Sequence, residues 1–82
     1  MQTTAISRAD REEKTQKKAL ADRLKASRQD AQITQEKLAE RLRLPRTAIT
    51  KIEQAERSIS TLELAGWAQA CGRPIIDFFP KP

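Results

Sequence analysis

Residues 45–54 place their hydrogen-bonding side chains on one face of a predicted helix. At about 100° per residue, these side chains fall within roughly 140° of one another on a helical wheel. They are Arg46, Thr47, Thr50, Lys51 and Gln54. Ala48, Ile49 and Ile52 fall on the opposite side, and Glu53 lies at the edge. The predicted helix therefore has an apolar face and a face that can hydrogen-bond but carries no acid.

A face of this kind has the chemistry needed to read the major groove of B-DNA. An α-helix fits that groove, where base edges offer donors and acceptors to Arg, Lys and Thr side chains. An acid on the same face would be repelled by the phosphates. We therefore predict four base-contacting residues: Arg46, Thr47, Thr50 and Lys51. The alternative is an ordinary amphipathic helix whose polar side faces solvent.

A second short helix must hold this one against the domain. Thr34 is a suitable N-cap for a helix over residues 35–42, because its hydroxyl can accept a free backbone N–H. The Arg-Leu-Pro segment at 43–45 then interrupts the helix. Spacing is counted from Gln35 as the first position: Ala39 is fifth, Ile49 fifteenth and Ile52 eighteenth. A small fifth residue lets two helices cross closely, and this spacing is typical of a helix-turn-helix.

The remaining residues predict further helices. The first helix is predicted to run from about Thr15 to Asp30. Ser60 and Glu63 form a predicted capping box, which opens a helix that ends at Gly72. Its predicted inner face consists of Leu64, Ala65, Ala68 and Cys71. Pro45 fits the first turn of the third helix, and Pro74 begins a short fifth helix over 75–79, stopped by Pro80.

Together these elements predict an all-α, compact five-helix domain over residues 15–82. The polar residues 1–14 are predicted to form a flexible arm or an extension of the first helix. No apolar run reaches the roughly 18 residues that a membrane span needs, so we expect no membrane contact. The N-terminal residues lack the apolar core of a secretory signal, and we expect a cytoplasmic, nucleoid-associated protein.

Composition narrows the possible functions. The chain has 82 residues and a net charge of +5, and residues 16–57 carry that excess, which suits a nucleic-acid partner. A solvated surface of Lys and Glu is the alternative explanation. With no His and one Cys, neither a zinc site nor a nucleophile paired with His can be assembled. We expect no enzyme activity, no cofactor and no metal.

The segment ITQEKLAERLRLPRTAITKIEQAERSIS resembles the Cro/C1-type (XRE-like) helix-turn-helix family. The matching motifs are Thr34-Gln35, Leu38-Ala39-Glu40-Arg41-Leu42, Ile49-Thr50-Lys51-Ile52-Glu53 and Ala70-Cys71-Gly72. The resemblance covers residues 18–79 and implies a lambda-repressor-like DNA-binding domain. Three places depart from the family pattern: Arg43 replaces Gly, Pro45 replaces Ser or Thr, and Gln54-Ala55 replaces Asn-Gly.

The resemblance also implies roles for residues outside the base-contacting set. Gln35 would contact a phosphate and brace the start of the recognition helix, which is the predicted helix over residues 45–54. The predicted phosphate-contacting set is Thr34, Gln35, Arg43, Gln54, Arg57 and Ser58. Arg28 and Glu53 match an internal salt bridge of the family. The predicted dimer interface, also indicated by surplus apolar residues near the C-terminus, is Ile75, Ile76, Phe78 and Phe79.

The predicted function is a sequence-specific double-stranded DNA-binding transcriptional regulator, acting as a repressor. A homodimer would place two recognition helices about 34 Å apart on a palindromic operator. The alternative is an antitoxin that binds a toxin protein partner and represses its own operon.

Overall fold

A computed structural model describes residues 3–79 of the chain, with side chains from residue 13 onward. The described residues form α1 (Thr3–Asp30), α2 (Gln35–Leu42), α3 (Arg46–Glu53), α4 (Thr61–Cys71) and a 3-10 helix (Ile75–Phe78), with no strand among them. The all-α prediction is confirmed, but the count of five helices is corrected to four α-helices and one turn of tighter helix. The predicted stop at Pro80 lies outside the described residues.

Helix α1 begins at Thr3 and includes residues 3–14, for which the sequence left an arm and a helix extension open. Residues 3–14 contain no Gly or Pro and several strong helix formers. Because the helix is already nucleated further along, each added residue gains a backbone hydrogen bond without a new nucleation cost. Exposed pairs Glu13–Lys17 at 3.5 Å and Lys18–Asp22 at 3.8 Å add weak support. The division into an arm at 1–14 and a domain at 15–82 stays a prediction.

The predicted caps set the ends of α2 and α4. Thr34 Oγ1 accepts from the Lys37 backbone N–H at 3.0 Å. Ser60 and Glu63 form the reciprocal capping box, with bonds of 2.9 and 3.1 Å. Gly72 ends α4 in the left-handed conformation with φ 69°. These side chains satisfy backbone groups that a helix end would otherwise leave open.

The core lies where α1, α3 and α4 meet α2 and the 3-10 helix. Its largest fully buried side chains include Trp67, Leu24 and Leu38, and burial of each Leu is worth about 1.5–3 kcal/mol. The Trp67 indole donates to the Leu24 carbonyl at 3.1 Å, so α4 is joined to α1 by a buried hydrogen bond. Ala65, predicted to face inward, is exposed, since Trp67 takes the inner side of α4 at this level.

Helices α2 and α4 approach closely at Gly66. A Cβ at this position would lie 2.7 Å from Leu42 Cδ2, so Leu42 would have to shift to accept any side chain there. The absence of a side chain at Gly66 therefore lets the end of α2 rest against α4. None of the helices within residues 3–79 is long and apolar enough to cross a membrane.

Candidate nucleic-acid interface

Helix α3 turns its apolar side chains into the core and its polar side chains outward. Arg46, Thr47 and Lys51 are exposed, and Thr50 is half-buried. Within residues 13–79, the Thr47 and Lys51 side chains have no hydrogen-bond or ion-pair partner. Of the predicted base-contacting set, these two are therefore the most available to a ligand outside the domain.

Arg46 lies at the start of α3 beside two residues of α2. Its Nη1 is 3.7 Å from Glu36 Oε2, and its Nε is 3.5 Å from Gln35 Oε1. Both charged side chains are more than half exposed, at 61% for Arg46 and 73% for Glu36. An ion pair so exposed is worth less than about 1 kcal/mol, so a phosphate or a base edge can displace it.

The Gln35 amide joins α2 to the polar face of α3. Its Nε2 donates to Glu53 Oε1 at 3.0 Å. Its Oε1 accepts from the Thr50 hydroxyl at 3.1 Å and faces Arg46 Nε. The amide thus braces α3 at both ends, next to the side chains predicted to meet DNA.

Glu53 is the only acid on α3, and it faces the protein interior. Its carboxylate binds the Arg28 guanidinium through Nε–Oε2 at 2.6 Å and Nη2–Oε1 at 3.2 Å. Arg28 Nη1 also donates to the Ile33 carbonyl at 2.8 Å. The Glu53 charge is therefore neutralised by α1 and hidden from the outer face of α3, which keeps that face free of exposed acid.

The turn between α2 and α3 is a tight left-handed C-cap. Arg43 has φ 57° and ψ 42°, and its side chain is exposed with no partner within residues 13–79. Pro45 is the N-cap of α3 with ψ 151°, which corrects its predicted place inside the first turn. Its extended ψ sets the direction of α3, but it supplies no side-chain acceptor for the helix start. The turn leaves the Arg43 charge exposed, three residues before the first residue of α3.

The loop after α3 carries the other predicted phosphate-contacting residues. Gln54 and Ser58 are exposed. Arg57 forms a two-bond pair with Glu63, at 3.1 Å for each bond, and also donates to the Ser58 carbonyl at 3.1 Å. The side chain of Arg57 is thus engaged at the start of α4. Thr34, the remaining member of the set, is exposed but uses its hydroxyl oxygen to cap α2.

The Arg57–Glu63 pair shifts the pKa of both groups. Hydrogen bonds from Arg57 and then from the Ser60 backbone lower the pKa of Glu63 to about 2. The hydrogen bond to Glu63 raises the pKa of Arg57. Both groups therefore stay charged at neutral pH, and the ion pair ties the loop to α4.

The predicted dimer residues separate into two groups. Ile75, Ile76 and Phe79 are exposed, at 38%, 71% and 52%. Phe78 is only 2% exposed, so its place at a subunit contact is corrected to the core of its own chain. A 3-10 turn puts neighbouring side chains about 120° apart, which is why Phe78 can point inward while Phe79 does not. Of the exposed group, Phe79 also lines a groove beside Ala19 and Leu20 of α1.

A family model described as a helix-turn-helix domain matches residues 19–76. The chain belongs to this helix-turn-helix family. The match includes α2, the turn at Arg43 and α3, together with the helices that pack around them. The identification as an XRE-like domain also agrees with the fold of the solved relatives.

Two crystal structures of the clp gene regulator ClgR from Corynebacterium glutamicum are similar to this helix-turn-helix domain. One gives a TM-score of 0.74 at 27% identity, covering 77% of this chain and 67% of the other. The second gives 0.72 at 27% identity, covering 77% and 82%. The restriction-modification controller protein C.AhdI from Aeromonas hydrophila gives 0.71 at 24% identity, covering 76% and 94%; this likeness shows the fold alone. A comparison with curated protein sequences gave no match.

Glu36 and Glu63 each contact a residue of the predicted site. The sequence predicted neither of these two contacts. Glu36 pairs with Arg46 across the turn, and Glu63 pairs with Arg57 across the loop. Arg57 lies in a loop and Glu63 in α4, six residues further on, so no single helical or strand period could reveal their pairing. The capping-box motif identified Glu63 but not its second partner. Within residues 13–79, no group of three or more His, Cys, Asp or Glu could hold a metal ion.

Proposed function

We propose that this domain is a sequence-specific double-stranded DNA-binding transcriptional regulator, acting as a repressor. The observation that carries the proposal is the outer face of α3: Arg46, Thr47 and Lys51 are exposed, and the only acid of the helix is turned inward against Arg28. Such a helix can enter the major groove without phosphate repulsion. The similarity to ClgR, a clp gene regulator, supports the same class of function.

The phosphates would be met by residues around this helix. Arg43 and Gln54 are exposed at its two ends, and the Gln35 amide lies at the start of α2, where free N–H groups favour an anion. The excess positive charge of residues 16–57 would strengthen binding at low salt and make affinity fall steeply as salt rises.

The test is selection of bound sites from random duplexes, followed by affinity measurements on the selected sequence. Arg46→Ala and Lys51→Ala should each cost about 1–3 kcal/mol and flatten the base preference at one position. Arg73→Ala removes the same charge from a pair with Asp30, away from α3, and should leave the base preference unchanged. If both α3 variants bind like the parent, the groove assignment is wrong.

We further propose a homodimer that reads a palindrome, with Ile75, Ile76 and Phe79 at the contact. Exposed apolar side chains that lie close together in the chain, as these three do, are typical of protein contact surfaces. An antitoxin would use the same surface for a toxin, so the two functions differ in what covers it. Sedimentation of the purified chain distinguishes them: a dimer supports the first, and a monomer that becomes stable only with a co-expressed partner supports the second.

A further inference from the structure

Among residues 13–79, the Thr50 hydroxyl has two protein atoms within hydrogen-bonding distance, and both are acceptors. Its oxygen lies 3.1 Å from Gln35 Oε1 and 3.3 Å from the backbone carbonyl oxygen of Arg46. A hydroxyl has one proton to donate and two lone pairs to accept with. Since the proton is directed to these protein oxygens, the hydroxyl has only lone pairs left for a ligand on the outer face.

The acceptor at Gln35 is fixed by its other contact. Gln35 Nε2 donates to Glu53 Oε1 at 3.0 Å, and an ionised carboxylate can only accept. A flipped amide would therefore set two acceptors against each other at Glu53. Glu53 is itself held by the Arg28 guanidinium. The chain of contacts from α1 through Glu53 thus forces Gln35 to present its carbonyl oxygen to Thr50.

Base edges in the major groove differ in what they offer a lone pair. Adenine and cytosine present an exocyclic amino group, whereas guanine presents only acceptors, N7 and O6. Building on the proposed function, we infer that Thr50 is a specificity-determining residue that accepts a hydrogen bond from the amino group of adenine or cytosine. Gln35 is its positioning residue, because it takes the Thr50 proton. Guanine at the same place sets its acceptors against the lone pairs of Thr50.

Selection from random duplexes tests the role of Thr50. One base position in each half-site should favour adenine or cytosine over guanine by about two- to tenfold, the range of a single net hydrogen bond. Thr50→Val, which keeps the shape but loses the hydroxyl, should lose this preference. Thr50→Ser, which keeps the hydroxyl, should retain it. An unchanged preference in Thr50→Val overturns the inference, since the methyl group would then be the reader.

A base analogue tests the same contact atom by atom. In the selected operator, the adenine is replaced by purine, which lacks the 6-amino group, or the cytosine by 2-pyrimidinone, which lacks the 4-amino group. The parent should bind the analogue about two- to tenfold more weakly than the natural operator. Thr50→Val should bind the analogue and the natural operator equally well. Equal losses in parent and Thr50→Val overturn the inference.

Gln35→Met tests the positioning role. It removes the closer of the two acceptors while keeping a side chain of similar length. Only the Arg46 carbonyl at 3.3 Å is then left to hold the Thr50 proton, so discrimination against guanine should shrink. Relative base preference is the readout, because Gln35 also lies among the proposed phosphate contacts. Unchanged discrimination overturns the role of Gln35. A chain that enriches no sequence at all overturns the proposed function, whereas enriched sites without a Thr50-dependent position overturn this inference alone.

Discussion

The Arg28 guanidinium and the Glu53 carboxylate form a two-bond ion pair in which the Glu53 side chain is only 3% exposed. The pair joins α1 to the last turn of α3. Every buried side-chain nitrogen or oxygen among residues 13–79 has a hydrogen-bond partner, and this pair is the most demanding case because both groups are charged. The position of α3, the proposed recognition helix, therefore depends on Arg28 in the last turn of α1.

Removing Arg28 should strongly destabilise the domain. Arg28→Met leaves the Glu53 charge buried with only the Gln35 amide as partner, and breaking a buried pair in this way costs about 3–5 kcal/mol. Urea unfolding followed by circular dichroism measures the change. Arg73→Met is the matched control, because its pair with Asp30 at 2.7 Å is exposed and should be worth less than about 1 kcal/mol. Similar costs for the two variants would contradict a special role for the buried pair.

Acid should weaken the domain partly through Glu63. Its pKa is about 2 in the folded chain against an ordinary value of 4.5, so the unfolded chain binds the proton more readily. The stabilisation from this carboxylate is complete above pH 4.5 and is lost as pH falls through about 2.

Glu63→Gln isolates this effect, because Gln can still complete the capping box while losing the ion pair with Arg57. Urea unfolding between neutral pH and pH 2 should show the parent more stable near neutrality and the difference shrinking below pH 4.5. A difference that stays constant over this range would mean that the ion pair does not contribute.

Ala55→Gly should stabilise the domain. Ala55 has φ 61°, a left-handed conformation that costs a residue with a Cβ about 1–2 kcal/mol. A net gain of about 1 kcal/mol would raise the melting temperature by about 4–8 °C. Gly72→Ala should lower the melting temperature, because Gly72 has the left-handed φ of 69°. No atom lies within 4 Å of an added Cβ, so backbone strain alone sets this loss. A lower melting temperature for Ala55→Gly would contradict the strain.

Arg43→Gly should raise the stability of the domain and lower its affinity for DNA. The backbone strain at φ 57° would be relieved, raising stability by about 1 kcal/mol. If Arg43 meets a phosphate, affinity should fall for all sequences and the slope of log K against log salt should shrink by about 1. Filter binding at several salt concentrations measures the slope, and an unchanged slope would remove Arg43 from the phosphate-contacting set.

A charge on the exposed apolar surface should prevent self-association. Phe79→Asp or Ile76→Asp should convert a dimer to a monomer in sedimentation equilibrium, because a buried unpaired carboxylate is costly. Leu62→Asp is the control: Leu62 is 85% exposed on α4 and lies outside the proposed contact. If only Leu62→Asp abolished the dimer, the proposed contact would be wrong and the dimer interface would lie on α4.

The helix ends were predictable because their signals are local. Thr34, Ser60 and Gly72 act on backbone groups within a few residues, so their types alone fix the caps. Likewise the spacing of Ala39, Ile49 and Ile52 is typical of a helix-turn-helix and predicts that they pack between its two helices, and all three are buried.

The contacts between distant residues were not predictable in the same way. The pairing of Arg57 with Glu63 depends on the path of the loop, and the inward turn of Phe78 depends on the tighter 3-10 geometry. The sequence left residues 1–14 as either an arm or an extension of α1, because a polar segment gives no amphipathic signal even where its helix propensity is high. Prediction failed where a residue's role is set by its neighbours in space.

The tether of Thr50 to Gln35 divides the polar face of α3 into positions that can and cannot vary freely. The side chains of Thr47 and Lys51 make no hydrogen bond or ion pair with the rest of residues 13–79, so exchanging either would alter the recognised sequence at little expense to folding. Thr50 is joined through Gln35 to Glu53 and hence to Arg28. Variants that recognise new DNA sequences, whether selected in the laboratory or by evolution, would therefore be expected to change residues 47 and 51. Thr50 would be kept, because its contact with Gln35 helps to hold α3 in place.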